Sequence, residues 1–406
     1  MIMVEASKKI PKTFLYIIFV CYAAEGIAEQ IVGSVWPVLA KDVKVDLSLI
    51  GNLTMIFYAS SCITSLTTNK IRAKLGSNYT ATLAISLFAI ATLFFIYSQN
   101  FIMLSVGVFI NGLGLGIMEV DADSYVLKAY DAKYDSILHS FWGVGAFVGP
   151  FVLSYTMKRF FSHRLGFAII LMIYFLIMTA LIISKIYWKR IKSTLPESFV
   201  NLHSVSEEEK KVDTNILKIF RIKNVFAVIL CFFLINGVSR ALSAIMATIL
   251  VTQGNVTEIL AASVVGLFCV VSFIGRHFCG FLSQKIDIKT ILKISLFLEA
   301  IILIILFLNI LDGTGVAILI VIIGFVEAAQ IPFINFYTKE AFGNTLLSTL
   351  LGYGNIAGFI GAIVTSGFCT TIIKNFSMRY VELFFAIELL LSYVIFTKIS
   401  KFVDRR

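Results

Sequence analysis

The sequence predicts an all-α integral membrane protein with twelve transmembrane helices in two pseudo-symmetric six-helix bundles. Three observations predict it: an apolar composition, twelve apolar runs of bilayer-crossing length, and residue patterns that return in the second half of the chain. Hydrophobic side chains make up 59% of the 406 residues and charged ones 14%, with a mean hydropathy of +0.93. Soluble domains carry about 25% charged residues, so a soluble fold is excluded.

A helix needs about 18 apolar residues to cross a hydrocarbon core of ~30 Å. Runs of that kind lie at approximately 14–38, 48–68, 79–97, 101–127, 136–157, 165–187, 224–251, 257–283, 291–310, 314–337, 345–373 and 380–400. The first run is long, carries Glu25 and Glu29, and lacks a small-residue cleavage site. It reads as a first span and not as a removable signal peptide.

The formal net charge of +10 raises nucleic acid as a partner, and the placement of the basic residues removes it. With the N-terminus on the cytoplasmic side, the inside segments hold 25 Lys and Arg, counting Lys185, Lys293 and Lys398 at the inner ends of their runs, and the outside loops hold 7. The positive-inside rule therefore expects both termini in the cytoplasm, with the cell membrane as the location. The six cysteines all fall in apolar runs with no CxxC or Cys/His cluster, so free thiols and no metal site are expected.

Between the sixth and seventh runs the chain turns polar, and 189–223 reads as a solvated cytoplasmic linker. It divides the chain into an N-terminal bundle, 1–188, and a C-terminal bundle, 224–406. A shift of 208 residues lays Gly116-Ile-Met-Glu119 on Gly324-Phe-Val-Glu327. A shift of 209 lays Gly143, Gly145 and Gly149 on Gly352, Gly354 and Gly358, and 211 lays Glu25-Gly26 on Asn236-Gly237. The near-constant offset points to a duplicated six-helix unit.

The six-plus-six arrangement, the basic linker and the parallel halves resemble the major facilitator superfamily. Within it, GLGLGIMEVDADSYV at 112–126, LHSFWGVGAFVGP at 138–150 and Glu29-Gln-Ile-Val-Gly33-Ser-Val-Trp36-Pro37 are similar to the fucose-permease-like branch of sugar/proton symporters. Glu119 falls on that branch's acidic position and Asp123 on a position usually held by Asn. The superfamily loop signature after the second span is degenerate, with Ala73 where an Asp is usual and Lys74 at the Arg position. Gly275-Arg276 to Gly280 keeps more of it. The resemblance implies a secondary transporter whose substrate sits between the halves.

An ionisable side chain inside a span costs at least about 2.5 kcal/mol, so it is retained mainly where it faces protein or water and works. Glu25 and Glu29 are one turn apart, as are Glu119 and Asp123, so each pair shares a helix face. In low dielectric the charge state of such groups answers to their neighbours, which is what proton coupling requires. Glu29, Glu119 and Glu25 are the candidates for that role. Arg240, opposite Glu29 in the half-to-half alignment, is a candidate to pair with it or to receive an anionic substrate group.

Asn111 and Trp142 offer an amide and an aromatic platform for a sugar, and Glu327, Gln330, Asn335 and Asn236 are further candidate lining residues. Arg276, Asp123, His139 and Pro332 are the gating candidates, Pro332 because it removes a backbone hydrogen bond from the tenth span. Glu299 and Glu388, on the ninth and twelfth runs, receive no role, and the glycines of the fifth and eleventh are assigned to close helix packing.

No HExxH, GxSxG or phosphate-loop pattern occurs, so no enzyme and no cofactor is expected. The leading expectation is uptake of a small polar solute, a sugar or sugar derivative, with a coupling ion: a proton, with sodium as the alternative. The carrier is expected to be a monomer in the bilayer. The rivals are a proton-driven exporter and a receptor or scaffold that transports nothing.

Overall fold

The computed structural model describes residues 12–75, 77–129, 132–191 and 219–403. Most of the 189–223 linker falls outside them.

Among the described residues the chain is helical and contains no strand. The helices are α1 (Lys12–Asp42), α2 (Ile50–Leu75), α3 (Ser77–Tyr97), α4 (Phe101–Ala129), α5 (Ala132–Phe160), α6 (His163–Ile191) and α7 (Val225–Thr252). They continue with α8 (Glu258–Leu282), α9 (Ile288–Leu308), α10 (Gly313–Glu327), α11 (Gln330–Phe342), α12 (Asn344–Asn375) and α13 (Arg379–Val403). A single 3-10 turn, Leu47–Leu49, precedes α2. Eleven helical stretches are long and apolar enough to cross a membrane, α10 with α11 counting as one of 30 residues. With α5, a 29-residue helix that contains Pro150, these match the twelve expected spans.

The tenth span is two helices because its sequence cannot keep the hydrogen-bond ladder. Pro332 has no N–H to give the carbonyl of Ala328, and the helix is interrupted at Ala328 and Ala329. The Ser295 hydroxyl of α9 donates to the Val326 carbonyl at 2.6 Å beside the break.

By packing, the chain divides into two compact units, Met1–Ile31 with Ser60–Glu207 and Val32–Ala59 with Glu208–Arg406. In the first, α3 lies against α4 and α6. Its centre holds Phe88, Phe95, Phe167 and Tyr174, all fully buried, with the Phe95 and Phe167 rings 5.6 Å apart. The α1 and α5 backbones nearly touch, since a Cβ on Gly145 would lie 1.7 Å from the Ala23 carbonyl and one on Gly26 2.1 Å from that of Trp142.

In the second unit, α7 lies against α12 and α9 against α13. Gly237 and Gly361 make the matching approach there, a Cβ on Gly361 falling 2.1 Å from the Phe233 carbonyl. The segment 32–59 belongs to this unit: Gly33 packs on Ala244, Gly51 on Ser366, and Lys41 pairs with Glu258. Large apolar side chains elsewhere point outward, Ile102 at 76% and Leu176 at 70% exposed. That is the surface a lipid solvent favours.

Candidate functional site

In the first unit, α1 carries Glu25 and Glu29 on one face near its middle. Glu25 is buried at 3% exposure and Glu29 is half-buried. The Trp142 indole Nε1–H of α5 donates to Glu29 Oε2 at 2.9 Å. The glycine contacts between α1 and α5 make this possible, because helices that close bring side chains from both into reach. Asn111 of α4 is buried at 2% and its Nδ2 donates to the Ala28 carbonyl at 2.7 Å. Its Oδ1 accepts nothing among the described residues. Glu29, Trp142 and Asn111 thus converge around one turn of α1.

Glu119 is half-buried on α4, one turn after Gly116, whose missing Cβ lets α4 approach the Ser61 carbonyl of α2. The Asp123 side chain lies outside the described set. Asp121, also on α4, is 2% exposed, and its charge acts on Cys21 of α1. His139 is held against α1, its Nδ1 3.0 Å from the Tyr22 hydroxyl and the two rings edge to face.

In the second unit, Arg240 lies over two aromatic rings, 5.0 Å from the centroid of Tyr58 and 4.9 Å from that of Phe359. Such stacking contributes about 0.5–2 kcal/mol and holds a guanidinium by its faces. Its in-plane N–H donors point away from those faces. Nothing in the α7 pattern announces this clamp, because both rings come from other helices. Asn236 donates to the Phe232 carbonyl of its own helix at 3.0 Å, and Gly358 packs against it.

Glu327 and Gln330 stand on either side of the break in the tenth span, with Pro332 and Asn335 following on α11, both half-buried. The Asn335 Oδ1 is buried and accepts nothing among the described residues. Gln330, 2% exposed, donates through Nε2 to Glu299 Oε2 of α9 at 2.5 Å. Glu327 bonds the Ser239 hydroxyl of α7 and is within charge-interaction range of Arg276 of α8.

Glu299 is 1% exposed, so the acid to which the sequence assigned no role sits at the centre of this unit. Glu388, likewise unassigned, is 8% exposed and accepts from Thr365 at 3.2 Å. Glu382, also buried, accepts from Gln253 at 2.7 Å. An acid deep within an apolar run was the signal available for Glu299 and Glu388, since such a group needs a protein partner.

The sequence model of the Major Facilitator Superfamily matches residues 18–366 and again 228–402. The second, overlapping match covers only the later half, as a duplicated unit would produce. A solved structure of a D-xylose-proton symporter aligns with a TM-score of 0.74, covering 95% of this chain and 96% of that one at 12% identity. At that identity the likeness speaks for the fold. Among curated proteins no sequence match is found. The chain is a multi-pass membrane transporter that belongs to the Major Facilitator Superfamily.

Proposed function

We propose that this transporter takes up a sugar or sugar derivative together with protons by alternating access, with both termini in the cytoplasm. The observation that carries the reading is the Trp142–Glu29 hydrogen bond in the middle of α1. A half-buried carboxylate held by an indole presents a hydroxyl acceptor beside an aromatic surface, and sugars bind through both. The same carboxylate can take up a proton, and the indole bond then changes from charge-assisted to neutral, which links solute and proton at one atom. Glu119 and Glu25 supply further acid groups within the same unit, and the Asn111 Oδ1 supplies a second acceptor.

Arg240 receives an anionic group of the solute or a carboxylate of the chain, and its two stacked rings keep it in place while it does so. Glu327, Gln330, Asn335 and Asn236 line the route, and Arg276, Asp123, His139 and Pro332 act in gating. The D-xylose-proton symporter of the same fold supports the class of solute and the coupling ion, though not the identity of either for this chain.

Proteoliposomes with an inward proton gradient should accumulate a labelled pentose, hexose or sugar acid, and Glu119→Gln should abolish or uncouple the accumulation. Equal accumulation without a gradient removes symport from the reading. Efflux driven by the same gradient makes the protein an exporter, and a sodium gradient acting alone replaces the proton with sodium.

A further inference from the structure

Where α7 ends, the second unit contains a buried acid that the uptake reading does not use. Glu382, in the first turn of α13, is 0% exposed. Its Oε1 accepts from the side-chain Nε2 of Gln253, the residue that caps α7, at 2.7 Å. The remaining oxygen of each group, Glu382 Oε2 and Gln253 Oε1, is buried and has no hydrogen-bond partner among the described residues. Just beyond the cap, Gly254 touches Gly313 at the start of α10, so the backbone closes over this corner of the unit.

A carboxylate can only accept hydrogen bonds, and so can an amide oxygen. An ionised Glu382 would therefore leave two sealed oxygens with no hydrogen for either, together with a buried charge. Among the described residues the charged groups of the surrounding elements are engaged elsewhere. Arg379 of α13 lies over the Tyr380 ring at 5.2 Å, and Tyr380 packs on Phe307 of α9 at 5.6 Å. Glu258 of α8 pairs with Lys41, Lys374 at the end of α12 acts on Asp46, and Asp312 before α10 accepts from the Gly315 N–H. Beyond Arg240 α7 has no charged residue, and beyond Glu299 α9 has none. One proton on Glu382 Oε2 removes the charge and supplies the missing donor. An acid and a primary amide can then pair through two hydrogen bonds, N–H to the acid oxygen and O–H to the amide oxygen.

We propose that Glu382 is a neutral carboxylic acid that forms a two-bonded clasp with Gln253, tying the end of α7 to the start of α13, and that alkaline pH opens it. On opening, the O–H bond breaks, the proton passes to water or hydroxide, and the carboxylate keeps the electron pair. With both termini in the cytoplasm these are the outer ends of their spans, so the exchange is with the external medium. The clasp is independent of the solute and of the coupling ion.

The test is thermal unfolding of the purified full chain, in acidic and in mildly alkaline buffer, for the wild type and Glu382→Gln. The variant's second amide reproduces both bonds of the neutral clasp without a titrating proton. A folded acid that keeps a proton which the unfolded chain releases above about pH 4.3 loses stability as pH rises, until the folded acid itself ionises. The two proteins should melt together in acid, and the variant should melt several degrees higher in alkali. At neutral pH the infrared C=O stretch of protonated carboxyls should contain a component that Glu382→Gln removes and Gln253→Leu moves to higher frequency. The Gln253→Leu spectrum decides the matter if Glu382→Gln fails to fold. Equal pH dependence in the two proteins, or a carboxyl band that neither variant changes, overturns the proposal. A wild-type melting temperature that rises with sodium and not with acid also overturns it, since a cation then holds the two oxygens.

Discussion

In the first unit the Glu29 carboxylate is half-buried and takes the indole of Trp142. In the second, Glu299 is sealed at 1% exposure and takes the amide of Gln330 beside a helix break. Both acids sit near the middle of a helix, and both are held by a neutral N–H donor from another helix. They differ in access: the first pair remains reachable, whereas the second is enclosed. Both units thus contain close backbone approaches, Gly26 with Gly145 and Gly237 with Gly361, and hold different chemistry around them.

The largest effect expected from breaking this comparison is at the shared glycines. Gly145→Ala in the first unit and Gly361→Ala in the second each set a methyl about a bond length from a backbone carbonyl, at 1.7 and 2.1 Å. Overpacking of this kind costs at least about 1–3 kcal/mol, and both variants should lose folded yield or melt well below the parent. Gly352→Ala, with nothing within 4 Å of its Cβ, should melt with the parent. Equal tolerance at all three would mean that the helices are not in contact.

The next effect separates the enclosed acid from the accessible one. Glu299→Ala strands the buried Gln330 amide, at about 1–3 kcal/mol for an unsatisfied buried donor, plus the cavity left by the side chain. Trp142→Phe removes the indole N–H and part of the ring from a half-buried pair and should cost less, about 1 kcal/mol. Thermal unfolding in detergent ranks them, and the reverse order would undo the contrast. For uptake the Trp142→Phe variant should nevertheless lose more than its stability loss explains.

The smallest effects lie outside the spans. The Ser48 hydroxyl first, and then the Ser48 N–H bonded at 2.8 Å to Asp46, hold the carboxyl of Asp46 below the ordinary range, with Lys374 adding to the effect. A depressed carboxyl stabilises the fold above its unfolded value, and the contribution is lost as pH falls through the lowered one. Asp46→Ala should therefore cost about 1 kcal/mol near neutral pH, as loss of a capping side chain does, and progressively less in acid. The exposed Lys41–Glu258 pair should contribute under about 1 kcal/mol, and added salt should abolish the difference between Lys41→Ala and the parent.

Some of the contacts involve residues that the sequence singled out. Glu29, Trp142 and Asn111 were singled out as acid, aromatic platform and amide, and they converge on one turn of α1. Pro332 announced the interruption of its span, because a missing N–H acts locally. The bond between Glu299 and Gln330 was not legible, since the partner is 31 residues away on the following span. Nor was the aromatic clamp on Arg240, whose rings come from α2 and α12.

By itself the sequence determined the apolar spans and the superfamily, because a bilayer of fixed thickness turns apolar length into topology. It did not determine which buried acid meets which donor. Inside a span apolar residues occur all round the helix, so the sequence does not say which face meets protein and which meets lipid. Only the packing of neighbouring helices decides that, and it closed the second unit around Glu299 while leaving Glu29 half open.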